Sequence, residues 1–313
     1  MKQDLAPIVA FVFNRPEHSA RMLESLRANP EIDRSALTIY CDGQRSERDA
    51  PAVEETRRAV RAAAPAHARI IERSENFGLA KSIITGVTEA TRDYGRVIVA
   101  EDDLVFSPLA LGYFNAALDR YADDEQVMHV AGYMFPVRNR VPRAFFYREA
   151  TCWGWATWAR AWQHFQPDSH VILDWVAAND ERRGFDVNDT MYFWEMLNQQ
   201  ARGRINSWAI RWYGSMYMRK GLALHPGTSF VQNNGFDGTG VHCNVTDEFV
   251  VPLATEPLSD FPSEISESEA AVSAMMDYRL NVHRPNVERQ RSRIVARLVA
   301  AAKRFLEPRI GAR

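Results

Sequence analysis

Residues 96–108 read RVIVAEDDLVFSP, and how this stretch folds decides how the rest of the chain is arranged. RVIVA is a continuous β-rich run of the kind that forms a strand covered on both faces. It delivers Glu101, Asp102 and Asp103 at its carboxyl end, where open α/β sheets place their ligands. Three adjacent carboxylates repel one another, so the cluster is costly unless a cation or basic groups compensate. Hard oxygen donors suit Mg²⁺ or Mn²⁺, commonly held by one or two carboxylates together with substrate phosphates. A solvated acidic turn is the plainer reading of the tripeptide alone. Its place after the fourth strand of a parallel sheet favours the ligand site.

That sheet is read outward from the same stretch. PIVAFVF (7–13), ALTIYC (36–41) and ARIIE (68–72) are further short apolar or β-branched runs. Between them lie helix patterns: one opened by Pro16-Glu17 with Met22, Leu23 and Leu26, one opened by Pro51 with Val53 and Val60, and one over 79–94 with Ile83, Ile84, Val87 and Ala90. Repeated strand and helix predict an α/β, Rossmann-like fold with a mostly parallel central sheet and helices on both faces. Pro108 starts another helix, and VMHVAGYMF (127–135) is a further strand. From about residue 137 the alternation is lost. GLALHP (221–226) reads as a strand and NNGFDGTGVHC (233–243) as a glycine-rich loop.

Composition limits the function classes. With 46% hydrophobic and 25% charged residues the 313-residue chain is ordinary for a globular protein, and a formal net charge of −2 offers no basic field for nucleic acid. The three cysteines suggest neither a disulfide framework nor a thiolate zinc site. The amino-terminal apolar run is too short for a signal peptide, and no segment is long enough to span a membrane, so a cytoplasmic protein is expected. All eight tryptophans fall between Trp153 and Trp212, which argues for a second region with a different task. From Glu288 onward Ile294, Val295, Leu298, Val299, Ala302, Phe305 and Leu306 recur at helical spacing among basic residues. This C-terminal amphipathic helix either docks peripherally on the anionic inner face of the cell membrane or packs against protein.

Two other strand ends reach the edge that carries the carboxylates. FNRP sets Asn14 and Arg15 after the first strand, and CDG sets Asp42 after the second. An arginine there can take a phosphate and an aspartate can accept from a base or a ribose hydroxyl. ENFGLAKS turns into a helix with Asn76 and Lys81 near its start, an anion position. Polar groups at three neighbouring strand ends point to a nucleotide pocket.

FNRP, CDG, NFGLAKS and EDD, in this order and spacing, resemble the nucleotide-sugar-binding half of the GT-A glycosyltransferases. AEDDLVFSP in particular resembles a segment of the N-acetylglucosaminyltransferase I family, and bacterial polysaccharide glycosyltransferases share the layout. CWGWATW (152–158) resembles the loop that this family places under the sugar. RKGLALHP with NNGFDGTGVHC resembles its closing segment. The resemblance implies a GT-A domain with a nucleotide-sugar half over 1–135, an acceptor half over 136–260 and a tail over 261–313. It implies a metal-dependent, inverting hexosyltransferase acting in polysaccharide biosynthesis. The donor would be a nucleoside-diphosphate sugar, preferably of UDP, and the acceptor a glycan or lipid-linked glycan.

By position, the resemblance implies that Arg15 and Asp42 contact the nucleotide, Asp102 the sugar or ribose, and that Asp103 is the direct ligand of Mn²⁺ or Mg²⁺. Asn14, Asn76, Lys81 and Glu101 would complete the donor pocket. His242 would be a further metal or diphosphate ligand, unless it is incidental to its loop. Arg211 would assist the leaving diphosphate, unless it stacks structurally beside the tryptophans. Trp153, Gly154, Trp155 and Trp208 are candidates for sugar contact, since sugars present flat C–H faces to aromatic rings. The family pattern places an acidic general base before RKG, where this chain reads INSWAIRW without a carboxylate. Glu195 and Asp189 are the nearest candidates, against plain roles as a surface group and a helix cap. The missing acid keeps a catalytically silent carbohydrate-binding domain in play. A sugar-1-phosphate nucleotidyltransferase shares the architecture, but FNRPEHS lacks its glycine-rich phosphate loop.

Overall fold

The computed structural model describes residues 5–238 and 245–284, and in it the alternation read from the sequence is realised strand by strand. The first half runs β1 (Ile8–Val12), α1 (Pro16–Arg27), β2 (Leu37–Cys41), α2 (Ala50–Ala63), β3 (Arg69–Glu72), α3 (Gly78–Tyr94), β4 (Arg96–Glu101), β5 (Leu104–Phe106), α4 (Ala110–Arg120) and β6 (Val127–Ala131). The second runs β7 (Ala144–Tyr147), β8 (Trp155–Trp158), α5 (Ala159–Trp162), α6 (Ser169–Ala178), α7 (Arg182–Phe185), α8 (Phe193–Ala201), α9 (Trp208–Met218), β9 (Leu222–Pro226), β10 (Val231–Asn233) and α10 (Glu269–Tyr278). The expected C-terminal amphipathic helix, and the membrane docking tied to it, lie outside the described residues. Among the described residues no helix is long and apolar enough to cross a membrane.

Eight strands form one sheet in the order β3-β2-β1-β4-β8-β6-β9-β7, and β5 pairs with β10 in a separate ribbon. β1, β2, β3 and β4 are mutually parallel, as is β6 with β9, so the sheet is mostly parallel as expected. β8 is inserted antiparallel between β4 and β6, and β7 pairs antiparallel with β9 at the far edge. Because the side-chain period of a strand is two, each strand feeds both faces. Ile8, Ala10 and Val12 pack on one side with Met22 and Leu26 of α1, Val60 of α2 and Phe114 of α4. Val9 and Phe11 pack on the other with Ile83 and Val87 of α3 and with Trp208 and Trp212 of α9. A third apolar cluster joins Phe145 and Tyr147 of β7 to Ile172, Leu197, Tyr213 and Met275, drawing α6, α8, α9 and α10 together.

Two buried histidines are fixed as neutral rings. His129 Nε2 lies 3.0 Å from the Thr151 carbonyl oxygen, which requires an N–H, while Nδ1 accepts from Trp212 Nε1–H at 3.2 Å. His225 lies 2.8 Å from the Glu149 carbonyl oxygen and stacks on Phe145. Burial pushes both rings down to about 3. A base with a depressed folded pKa contributes stability that is full above its unfolded value and is lost as pH falls through it. With an unfolded value of about 6.5, each ring should cost about 2 kcal/mol between about pH 7 and about pH 5. Urea unfolding followed by tryptophan fluorescence should show that decline. Stability that stays level or rises over this range would contradict it.

Candidate active site

Parallel pairing of β1 with β4 sets Phe11 beside Glu101, so the residues after both strands leave the sheet together. Arg15, the N-cap residue of α1, reaches across to the turn between β4 and β5. Its Nη2 donates to Asp102 Oδ1 in a close contact and lies 3.3 Å from Asp103 Oδ2, while its Nε lies 3.3 Å from Asp102 Oδ2. Burial opposes the guanidinium charge, yet the two aspartates hold it ionised beyond its ordinary range. Burial pushes the Asp102 carboxyl up to about 6 against the pull of Arg15. Burial, then the charges of Asp103 and Asp102, raise Glu101 well above the usual carboxylate range. One guanidinium thus faces three carboxyl groups.

Arg15 Nη1 is buried and has no hydrogen-bond partner among the described residues. A buried cationic donor without a partner is costly and fits an anion that arrives with the substrate. Among the described residues no three His, Cys, Asp or Glu side chains converge as a closed metal cage. The donor set instead fits the mode in which one or two carboxylates hold Mg²⁺ or Mn²⁺ and phosphates complete the shell. Asp103 and Asp102 are the groups available for it. His242 lies outside the described residues.

Asp42, at the end of β2, is brought to the same edge, but its carboxylate is engaged by backbone. Oδ1 accepts from Phe77 N–H at 2.9 Å and Gly43 N–H at 3.1 Å, and Oδ2 accepts from Gly78 N–H at 2.9 Å. It therefore caps α3, whose own N-cap residue supplies no side-chain bond. Asn76 reinforces this turn by donating to the Gly43 carbonyl at 2.7 Å. Position 43 requires glycine, since a Cβ would stand 2.4 Å from the Glu75 carbonyl carbon. Asp42 and Asn76 thus shape the pocket wall with the polar atoms expected to face a nucleotide. Lys81 is exposed, its Nζ 3.8 Å from the centre of the Phe77 ring. Arg73, the residue after β3, was not singled out from the sequence. It lies 3.7 Å from Asp42 and over the rings of Tyr40 and Phe77. The rule that selects Arg15 and Asp42, a polar residue directly after a strand, would have found it.

The β5–β10 ribbon forms the other side of the cluster. Asn234 N–H donates to the Asp103 carbonyl at 2.8 Å, and a Cβ at Gly235 would stand 2.5 Å from Asp103 Oδ2. A side chain at this position would have to displace the carboxylate. Two residues on, Asp237 Oδ2 lies 3.2 Å from His18 Nε2 in the first turn of α1. Neither residue was a candidate, because only tertiary structure joins them. Trp153 is partly exposed, within a wall made with Tyr133, Phe236 and Phe249 at ring distances of 4.6, 5.4 and 5.2 Å. Gly154 adopts φ +67°, and its carbonyl accepts from Gly132 N–H, so its role is to seat the loop against Val231.

Several expectations are corrected. Trp155 is 0% and Trp208 4% exposed, and they stack on each other at 5.1 Å, so neither offers a face to a glycan. The cause is the insertion of β8 between two strands, which covers both its faces. Arg211 braces the start of its own helix, donating to the Ser207 carbonyl at 3.0 Å and to Asn206 Oδ1 at 3.1 Å, neither of them part of the carboxylate cluster. Glu195 is exposed and accepts from Gln199 on its own helix; Asp189 is exposed and pairs with Arg183 at 3.4 Å. Neither bonds to the cluster. Asn14 follows β1 beside Arg15 and is half-buried.

A family model described as Glycosyl transferase family 2 matches residues 8–164. No curated protein matches the chain. Among solved structures, the mannosyltransferase PcManGT from Pyrobaculum calidifontis, in complex with GDP-Man and Mn²⁺, is 17% identical, covers 50% of this chain and 48% of its own, and has a TM-score of 0.34. GalNAc-T7 with UDP, GalNAc and Mn²⁺ is 8% identical, covers 74% of this chain and 44% of its own, and has a TM-score of 0.45. The chain spans less than half the length of each.

Proposed function

The chain belongs to glycosyl transferase family 2, and from that membership we propose that it moves a sugar from a nucleoside-diphosphate donor, UDP-linked by preference, to a hydroxyl of a glycan or lipid-linked glycan. The observation that carries this reading is Arg15, clamped between Asp102 and Asp103 at adjoining strand ends with one buried donor atom unpartnered among the described residues. The donor diphosphate takes that atom. Asp103, with Asp102 beside it, holds Mn²⁺ or Mg²⁺, which when bound neutralises charge on the departing diphosphate. Arg15 and the start of α1 orient the phosphates. Trp153 lies under the transferred sugar or the acceptor. Residues 1–135 serve the donor and 136–260 the acceptor, and the acceptor hydroxyl approaches the sugar opposite the diphosphate, inverting the anomeric centre. The protein's contribution is to position both reactants and exclude water.

The test is a panel of UDP-glucose, UDP-N-acetylglucosamine, UDP-N-acetylgalactosamine and GDP-mannose, with Mn²⁺, Mg²⁺ or chelator, read as thermal stabilisation. At a hundredfold excess over Kd a bound donor contributes about 2.7 kcal/mol. At least one nucleotide sugar should stabilise the protein in a metal-dependent way. No shift from any of the four, with either metal, would overturn the reading.

A further inference from the structure

We infer that Asp237 is the general base that takes the proton from the acceptor hydroxyl, an assignment that rests on the glycosyltransferase reading. Three consecutive residues after the β5–β10 ribbon carry the argument. A Cβ at Gly235 would stand 2.5 Å from Asp103 Oδ2, so this residue lies on the carboxylate of the donor cluster. Phe236 packs against Trp153 and Phe249, with ring centres 5.4 and 4.5 Å away, and so lies on the aromatic wall. Asp237 follows at the seam between the two, with its side chain 44% exposed and one oxygen 3.2 Å from His18.

His18 stands three residues after Arg15, which grips Asp102 and Asp103. The pairing therefore holds the Asp237 carboxylate at the mouth of the same cluster. It also leaves the group within reach of a ligand entering between donor pocket and wall. Gly238 adopts φ +90°, a conformation that lets the chain turn directly after the carboxylate.

Several acids toward the acceptor half are engaged at other places. Asp186 accepts from Trp194 N–H at the start of α8. Glu149 is buried against Arg279, and Glu267 is paired with Arg148. Glu248 is buried and accepts from Tyr278 and His283. Asp189 and Glu195 face solvent among their helix neighbours. This also accounts for the lack of a carboxylate in INSWAIRW: the base comes from the glycine loop.

In the step, the acceptor oxygen forms its bond to the anomeric carbon as its proton passes to the Asp237 carboxylate. The bond from that carbon to the diphosphate oxygen breaks, and the electron pair leaves with the diphosphate. A general base of this kind contributes about 10²- to 10⁴-fold to rate.

The test compares wild type with Asp237→Asn and Asp237→Glu in the full chain. Binding of UDP and of GDP, with Mn²⁺ or Mg²⁺, is measured by calorimetry. Turnover is measured as metal-dependent release of the nucleoside diphosphate from UDP-glucose, UDP-N-acetylglucosamine, UDP-N-acetylgalactosamine and GDP-mannose, with water as acceptor. We expect Asp237→Asn to bind the nucleoside diphosphate within about threefold of wild type while kcat falls about 10²-fold or more, and Asp237→Glu to recover part of kcat. An Asp237→Asn enzyme that turns over within about fivefold of wild type would overturn the assignment and leave the glycosyltransferase reading intact. Wild type that binds neither UDP nor GDP, with Mn²⁺ or Mg²⁺, would bring down both.

Discussion

An Asp103→Ala variant is expected to lose sugar transfer by about 10³-fold or more while melting no lower than wild type in the absence of ligand. The first part follows from removing a hard oxygen ligand where charge develops on the departing diphosphate, an effect of several kcal/mol on the barrier. The second follows from the crowding of like charges. Asp103 is one of the carboxylates that raise Glu101, so deleting it relieves repulsion in a cluster with a single guanidinium. Its backbone contact, the bond from Asn234 N–H to its carbonyl, does not depend on the side chain. Transfer rates with saturating Mn²⁺, together with calorimetric melting of the apo protein, check both halves. Transfer within tenfold of wild type would remove Asp103 from the metal site. A sharp fall in melting temperature would mean that the carboxylate is structural.

Arg15→Leu should produce the opposite pattern, an apo protein less stable by about 3–5 kcal/mol, as when one partner of a buried ion pair is removed. The penalty depends on pH in a defined direction. Asp102, which burial pushes up to about 6 even against the pull of Arg15, rises further when the arginine is removed, and above that higher value it sits ionised beside Asp103 without its partner. As pH falls toward about 6 the carboxyl of the variant takes a proton and the penalty shrinks, to stay level below that value. In wild type the same group works against the two histidines, favouring the folded state by about 1 kcal/mol as pH drops from about 7 to about 5. Urea unfolding of both proteins at about pH 5 and about pH 8 separates these effects. Equal losses at both pH values would show that Arg15 acts through packing.

The parts of this molecule that were legible in the sequence are those whose signal is local. β1, β2 and β4 are buried on nearly their whole length and read as apolar or β-branched runs, the edge strand β3 is legible from Ile70 and Ile71 alone, and α1 to α3 show their inward stripe between them. Strand ends are equally local, which is why Arg15, Asp102 and Asp103 were found at one edge, and why Arg73 should have been. β7 and β8 were not legible. The pairing of Val99 with Trp155 that makes WATW a central strand joins segments far apart in the chain. That omission misassigned Trp155 and Trp208, whose burial depends on where β8 is inserted. The role of Asp42 was lost for a related reason. Its position was right, but only the approach of the α3 start shows which groups its oxygens serve. His18 and Asp237 gave no signal, because nothing in either local sequence points to the other.

The sheet order also constrains how the chain can be made. β9 pairs on one side with β6 and on the other with β7, so until residues 222–226 leave the ribosome β6 keeps an open edge and β7 has no partner in the sheet. A nascent chain that has already completed β1 to β4 must carry that unpaired apolar edge through the synthesis of five further helices. Open strand edges are templates for pairing with other chains. For this protein the hazardous interval of biogenesis is the late one, and a premature stop between α5 and β9 would release a fragment with its edge permanently uncovered.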